Sequence, residues 1–177
     1  VSGNGYLENA YFKSYLEPYE NGRPREKVYS FNNIFVFDPE EEAYKPTSLF
    51  AHAQSMYQYF LDLGYQEWRD KRIVLRAYVT FDGDKNNAMY IPYDDDFSDA
   101  PSLSFGEGDG VILQNLLLDA NVISHELSHH IVFEHLQTTY GESLIIHEGL
   151  ADYFTFAFSG NLVAFKLSIS LLIIGST

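Results

Sequence analysis

The sequence contains no cysteine among its 177 residues. A chain without thiols can form no disulfide framework, no cysteine nucleophile and no thiolate metal site. A transition metal bound to this protein would therefore be held by histidine and carboxylate side chains.

Basic residues are also scarce. Lys and Arg total 11 against 25 Asp and Glu, which gives a formal net charge of −14. Because such a chain repels phosphate-rich surfaces, we expect neither nucleic acid nor an anionic membrane as a partner. The charge remains compatible with a basic partner or bound cations. Hydrophobic residues make up 46% of the chain, with 14 Phe and 14 Tyr, so it can bury a core and is not intrinsically disordered.

One long hydrophobic run is present, at residues 162–175, where the chain reads LVAFKLSISLLIIG. A membrane-spanning helix needs about 20 apolar residues, which this run does not reach. A buried helix or strand is therefore the favoured interpretation, and a membrane-tethered segment is the alternative. The sequence shows no internal repeats and no low-complexity segment.

Hydrophobic periodicity predicts an α+β fold with strands first and helices last. Residues 5–38 alternate aromatic and polar side chains, which is typical of antiparallel strands, and residues 73–81 alternate in the same way. The segment 82–110 is rich in Asp, Asn, Gly and Pro and predicts a long irregular region. Apolar residues at helical spacing predict three helices, over residues 48–69, 116–137 and 142–158.

The strongest chemical signal is His125-Glu126-Leu127-Ser128-His129, an H-E-x-x-H motif on the second predicted helix. Four residues advance an α-helix by about 400°, so both imidazoles lie on one face, one turn apart. This spacing allows two imidazoles to bind one Zn²⁺, with Glu126 beside them as a general base. The alternative is a helix with two solvent-facing histidines.

The next helix offers a third ligand, in the run His147-Glu148-Gly149-Leu150-Ala151-Asp152. If the two helices pack antiparallel, Glu148 completes a His₂Glu site of the kind that catalytic zinc prefers. Asp152 lies one turn further along the same face, where it could accept the free N–H of a ligand imidazole. Surface charge is the alternative role for Glu148.

Together these motifs resemble the gluzincin metallopeptidases, in particular the thermolysin-like and fungalysin-like families. Their pattern is H-E-x-x-H followed about twenty residues later by Glu and, one turn on, Asp. Residues 86–90 (NNAMY) resemble the family's edge strand, and residues 106–110 (GEGDG) resemble the loop before its zinc helix. The resemblance covers roughly residues 48–158 and implies a zincin-like metallopeptidase N-terminal domain, with a strand-rich first part followed by two active-site helices.

By this resemblance the chain is a zinc-dependent endopeptidase. His125, His129 and Glu148 would bind Zn²⁺, and Glu126 would act as general base towards a metal-activated water and pass the proton to the leaving amine. Asp152 would orient His125. Peptides or proteins are the expected substrates.

The resemblance also implies residues that contact the substrate. Tyr140, between the two helices, would donate its hydroxyl to the developing oxyanion. Asn87, Ala88 and Tyr90 belong to the edge strand that would hold the peptide in an extended conformation.

Several positions depart from the family pattern. His147 replaces an Asn before the ligand Glu, and it could support a ligand, compete as a ligand, or lie on the helix surface. His130 is expected in packing or at the surface. Glu107 replaces an Asp of a loop that helps bind Ca²⁺ in thermolysin, so a solvated acidic loop is favoured over a calcium site.

The sequence is not matched to the family's second, helical half, so we expect either a fragment of a longer protease or a truncated relative that binds zinc but cleaves poorly. We therefore divide residues 1–177, as a single zincin-like catalytic domain, into a strand-rich part (1–47), a zincin core (48–158) and an apolar tail (159–177) that would begin the missing half. A truncated, weakly active or inactive metal-binding module that recognises a partner is the alternative function. The absence of cysteine, the acidic charge and the protease chemistry favour secretion.

Overall fold

The structure is a computed structural model that describes residues 1–17, 25–66, 70–137 and 141–160. Within these residues a five-stranded mixed sheet packs against three α-helices, which confirms the α+β prediction. The strands are β1 (Phe12–Leu16), β2 (Glu26–Lys27), β3 (Ile73–Ala77), β4 (Ala88–Asp94) and β5 (Ala100–Phe105). The helices are α1 (Tyr44–Asp62), α2 (Ala120–Leu136) and α3 (Glu142–Ser159).

The strand order in the sheet is β2-β1-β3-β5-β4. The three central strands β1, β3 and β5 run parallel, and the two outer strands β2 and β4 pair antiparallel with their neighbours. Parallel neighbours need a crossover connection, and α1 lies in the connection from β1 to β3. The strand β4 therefore forms one edge of the sheet, as the resemblance implies for residues 86–90.

The hydrophobic core lies between the sheet and the helices. Phe12, Leu75 and Leu103 are fully buried, and they are joined by Leu49 and Met56 from α1. From α2, one face contributes apolar side chains at a spacing of four residues: Ile123, Leu127 and Ile131. Because this face is held by the core, the neighbouring faces of α2 point in fixed directions, towards α3 and towards β4.

Two sequence-based predictions about strands were wrong. Residues 82–110 are not one irregular region, because they contain β4 and β5. Within 5–38, only β1 and the two-residue β2 form strands among the described residues, and Tyr6 and Tyr29 make an isolated bridge. The longest pairing of β1 is with β3, a strand far away in the sequence, so local alternation could not reveal it.

Part of the acidic charge is neutralised within the fold. Arg76 forms ion pairs with Glu17 at 2.9 Å and with Asp94 at 2.8 Å, and Arg25 pairs with the same Glu17 at 2.7 Å. Asp94 is buried and also accepts a 2.6 Å hydrogen bond from the hydroxyl of Ser102. The run of three aspartates that starts at Asp94 is therefore not simply solvated surface.

No helix in the described part of the chain is long and apolar enough to cross a membrane. The apolar tail of residues 162–175 lies outside the described residues.

Candidate active site

Of the two helices that carry the candidate site, α2 begins at an aspartate cap and α3 begins after a glycine. The carboxylate of Asp119 accepts hydrogen bonds from the backbone N–H groups of Asn121 and Val122, which satisfies free donors at the start of α2. Gly141 precedes α3 with φ 61° and ψ −136°, a backbone conformation that side chains disfavour. These caps fix where each helix starts and hence which residues face the other helix.

Contacts between α2 and α3 show that the helices run antiparallel, as the site prediction requires. His125 contacts Asp152, His129 contacts Glu148, and Phe133 contacts His147. Later residues of α2 thus meet earlier residues of α3. On α3 the side that faces α2 is formed by residues three or four apart: Glu148, Ala151, Asp152 and Thr155.

Three potential ligand atoms converge at this helix pair. Nε2 of His125 lies 3.1 Å from Nε2 of His129 and 3.1 Å from Oε2 of Glu148. Nε2 of His129 lies 3.5 Å from Oε1 of the same carboxylate. Within the described residues, His125, His129 and Glu148 form the one group of three His, Cys, Asp or Glu side chains that could hold a metal ion.

These distances fit a tetrahedral zinc ion. Ligands about 2.0–2.1 Å from a tetrahedral centre lie about 3.3–3.4 Å from one another, and the observed separations are 3.1, 3.1 and 3.5 Å. Imidazole nitrogens and a carboxylate oxygen are also a donor set that suits zinc. The cluster therefore has both the geometry and the ligand chemistry of a His₂Glu metal site.

The hydrogen-bonding capacity of His125 supports the same fit. Its Nδ1 lies 3.0 Å from Asp152 while its Nε2 faces Glu148, yet a neutral imidazole carries a single N–H and can donate to only one of these carboxylates. The second contact requires a proton or a metal ion between the two groups. A ligated metal at Nε2 would leave the single N–H at Nδ1, facing Asp152.

Burial and hydrogen bonds to charged neighbours change the pKa values at this site in opposite directions. Burial by itself lowers the pKa of His125, but the hydrogen bonds to Asp152 and Glu148 outweigh it and raise that pKa well above its ordinary value. Burial likewise raises the pKa of Glu148, while hydrogen bonds to His125 and His129 dominate and lower it. The carboxylates thus stabilise positive charge at the imidazoles, and a bound cation would take the place of that charge.

Glu126 lies between the two histidines in the sequence and is buried, with a relative exposure of 8%. After the hydrogen bonds to Asp152 and Glu148, the negative charge of its carboxylate is one of the influences that raise the pKa of His125. The side chains of His125 and His129 each keep 13% of their surface exposed, and Glu148 keeps 23%. The cluster is therefore shielded but still reachable from solvent.

Two further histidines, His130 and His147, are buried beside the site. His147 is 1% exposed, and its ring stacks on His129 with the ring centres 6.1 Å apart, so it does not lie on the helix surface. His130 is fully buried, and its Nδ1 lies 3.3 Å from the hydroxyl of Tyr90. His130 therefore belongs to the packing between α2 and β4, one of the two roles expected for it.

The edge strand β4 starts against the glycine-rich loop that precedes α2. The carbonyl of Asn87 accepts a hydrogen bond from the N–H of Gly106 at 2.9 Å, and its side-chain oxygen accepts one from the N–H of Ala88. Asn86 and Asp109 exchange two hydrogen bonds of 2.9 Å. The loop thus fixes the first residues of β4.

Glu107, the loop residue considered for calcium, pairs with Lys45 of α1 at 2.6 Å. The calcium site stays a prediction that the structure does not test. Tyr140, predicted to contact the oxyanion, lies outside the described residues.

The profile of the family described as thermolysin metallopeptidase, catalytic domain, matches residues 8–133, which include His125, Glu126 and His129 but end before Glu148. Among curated proteins, none matches the chain by sequence.

A solved structure titled as the precursor of protealysin, a metalloproteinase from Serratia proteamaculans, has a similar fold with a TM-score of 0.63. It shares 15% sequence identity, and the match covers 89% of this chain and 45% of that chain. The present chain therefore spans less than half the length of that protein. At this level of identity, the likeness concerns the fold alone.

Proposed function

The chain belongs to the thermolysin family of metallopeptidases, and from this premise we propose that it is a zinc-dependent endopeptidase. The observation that carries the proposal is the convergence of Nε2 of His125, Nε2 of His129 and the Glu148 carboxylate at tetrahedral spacing. We assign these three side chains as the zinc ligands. Peptides or proteins are the proposed substrates, and secretion is the proposed localisation.

Zinc held by these ligands would supply a Lewis acid that polarises the scissile carbonyl and makes water more acidic. Glu126 is the general base in this proposal, because its carboxylate is next to the ligands and can accept a proton from water. The same carboxylate, once protonated, can donate to the amine that leaves. Asp152 would accept the N–H of Nδ1 in His125 and so leave the lone pair of Nε2 available to a metal ion.

The substrate would lie along β4, the strand at one edge of the sheet that the described residues form. Both oxygens of Asn87 accept hydrogen bonds within the chain, so its side-chain amide N–H groups are the part left to meet a peptide carbonyl. Ala88 and Tyr90 follow it in β4. We propose Tyr140 as the donor to the developing oxyanion.

Replacing Glu126 with Gln tests this proposal. The variant should bind one zinc ion per chain as the wild type does, and it should lose chelator-sensitive hydrolysis of an unstructured protein such as casein. Glu142→Gln, at the exposed start of α3, is the matched control and should keep both properties.

Undiminished hydrolysis by Glu126→Gln would contradict the assignment of the general base. A wild-type chain that binds zinc but cleaves no peptide would instead favour the alternative, a metal-binding module that recognises a partner.

A further inference from the structure

One polar contact links the proposed metal helix α2 to the edge strand β4. The hydroxyl of Tyr90 lies 3.3 Å from Nδ1 of His130, and the two rings meet edge to face with their centres 5.7 Å apart. His130 follows the proposed ligand His129 directly in α2. Tyr90 lies in the strand proposed to receive the substrate.

The direction of the Tyr90 side chain follows from the sheet. Tyr90 pairs with Leu103 of β5, and directly paired residues of antiparallel strands project to the same face. Leu103 is fully buried in the core beneath the helices. Tyr90 therefore points towards α2, where its ring also contacts Phe133 at 6.1 Å.

The contact is important because the imidazole of His130 is buried. His130 has no exposed surface, and a buried imidazole without hydrogen bonds would destabilise the fold. The hydrogen bond to Tyr90 is one of the contacts that this buried ring makes inside the protein. Because adjacent residues on a helix point about 100° apart, α2 can direct His129 to the metal site and His130 to the strand.

We propose that Tyr90 and His130 are a positioning pair, which holds β4 at a fixed distance from α2 so that an extended peptide on the strand meets the metal ligands and Glu126. This inference rests on the proposed function. Neither residue needs to touch the reacting atoms, because the pair acts by fixing the strand relative to the helix.

Two conservative variants test the pair. Tyr90→Phe removes the hydroxyl and His130→Phe removes the ring nitrogens, and each keeps an aromatic ring for packing. Each substitution should lower the affinity for an extended peptide phosphinate inhibitor by about 2- to 10-fold, the range for one lost hydrogen bond. Acetohydroxamate is small and would contact only the metal and its neighbours, so it should bind to each variant as tightly as to the wild type. His135→Phe, at the exposed end of α2, is the control and should change neither affinity.

Two further measurements distinguish a positioning role from a general loss of structure. They are the inhibitor affinity of the double variant and the hydrogen exchange of the backbone amides. If the two side chains act through one bond, the double variant should lose no more inhibitor affinity than either single variant. Hydrogen exchange of the β4 amides should accelerate in both single variants, and this readout does not depend on catalysis.

Three results would overturn the positioning pair. The variants could bind both inhibitors equally weakly, the losses of affinity in the two single variants could add in the double variant, or hydrogen exchange of the β4 amides could stay unchanged. A wild-type chain that binds neither zinc nor acetohydroxamate would contradict the proposed function instead, and the exchange experiment would still report on the contact.

Discussion

Nδ1 of His125 lies 3.0 Å from Oδ1 of Asp152, on the side of the ring opposite the cluster formed with His129 and Glu148. The two nitrogens of this imidazole therefore have different neighbours. A carboxylate at Nδ1 favours the tautomer in which Nδ1 carries the proton and Nε2 presents its lone pair. The proposed metal site would thus depend on a residue that does not itself belong to the proposed ligand set.

Replacing Asp152 with Asn should weaken zinc binding about 10- to 100-fold, the usual effect of removing such a partner of a ligand histidine. The amide can present an N–H to Nδ1 and so favour the wrong tautomer. Competition with a chromophoric chelator measures the affinity, and Glu142→Gln serves as the control. Equal zinc affinity in Asp152→Asn and wild type would show that this contact does not orient His125.

Removing the metal should lower the stability of the fold. A ligand that binds only the native state at about 1,000 times its dissociation constant stabilises it by about 4 kcal/mol. We therefore expect a chelator to lower the thermal midpoint of the wild type. Glu148→Gln should have a lower midpoint without chelator and a much smaller response to it. A chelator response that is the same in wild type and Glu148→Gln would argue against Glu148 as a ligand.

Two glycines should respond to alanine in opposite directions. A Cβ at Gly106 would lie 2.1 Å from the carbonyl oxygen of Lys85, so Gly106→Ala should destabilise the protein by about 1–3 kcal/mol. At Gly149, exposed in α3, a Cβ meets nothing within 4 Å, and alanine should stabilise by about 1 kcal/mol through helix propensity. Urea denaturation measures both. Destabilisation by Gly149→Ala would mean that the exposed face of α3 is crowded in solution.

Asp109 should make the glycine-rich loop sensitive to acid. Its hydrogen bond with Asn86, followed by those from the N–H groups of Val111 and Ile112, lowers the pKa of its carboxyl from 3.8 to about 2. Since the folded-state pKa is the lower one, the contribution to stability is fully present above about pH 4 and is lost as the pH falls through about 2. An NMR titration of the Asp109 carboxyl measures this. A pKa at the ordinary value would show that the loop bonds do not persist.

The candidate metal site is the part of the molecule whose local geometry the sequence predicted best. Helical periodicity placed His125 with His129, and Glu148 with Asp152, one turn apart, and the helices they occupy are present in the structure. Only the packing of α2 against α3 had to be assumed, and the antiparallel contacts agree with that assumption. A motif within one helix can be predicted from the sequence because its geometry depends only on residues a few positions apart.

Features that depend on distant partners were not predictable. The strand β5 (APSLSF) contains no β-branched residue, and it forms between β3 and β4 because those neighbours supply its hydrogen bonds. His130 is buried against β4, and His147 is buried against α2. The residues next to them in the sequence do not indicate these contacts.

Anomalous diffraction at the zinc absorption edge shows whether His125, His129 and Glu148 bind zinc. Crystals of the wild-type protein should show one strong anomalous peak about 2.0–2.1 Å from Nε2 of both histidines and from a Glu148 oxygen. In crystals of Glu148→Gln the peak should weaken or disappear. No zinc peak among these three side chains in fully zinc-loaded crystals, or a peak on other residues alone, would contradict the account.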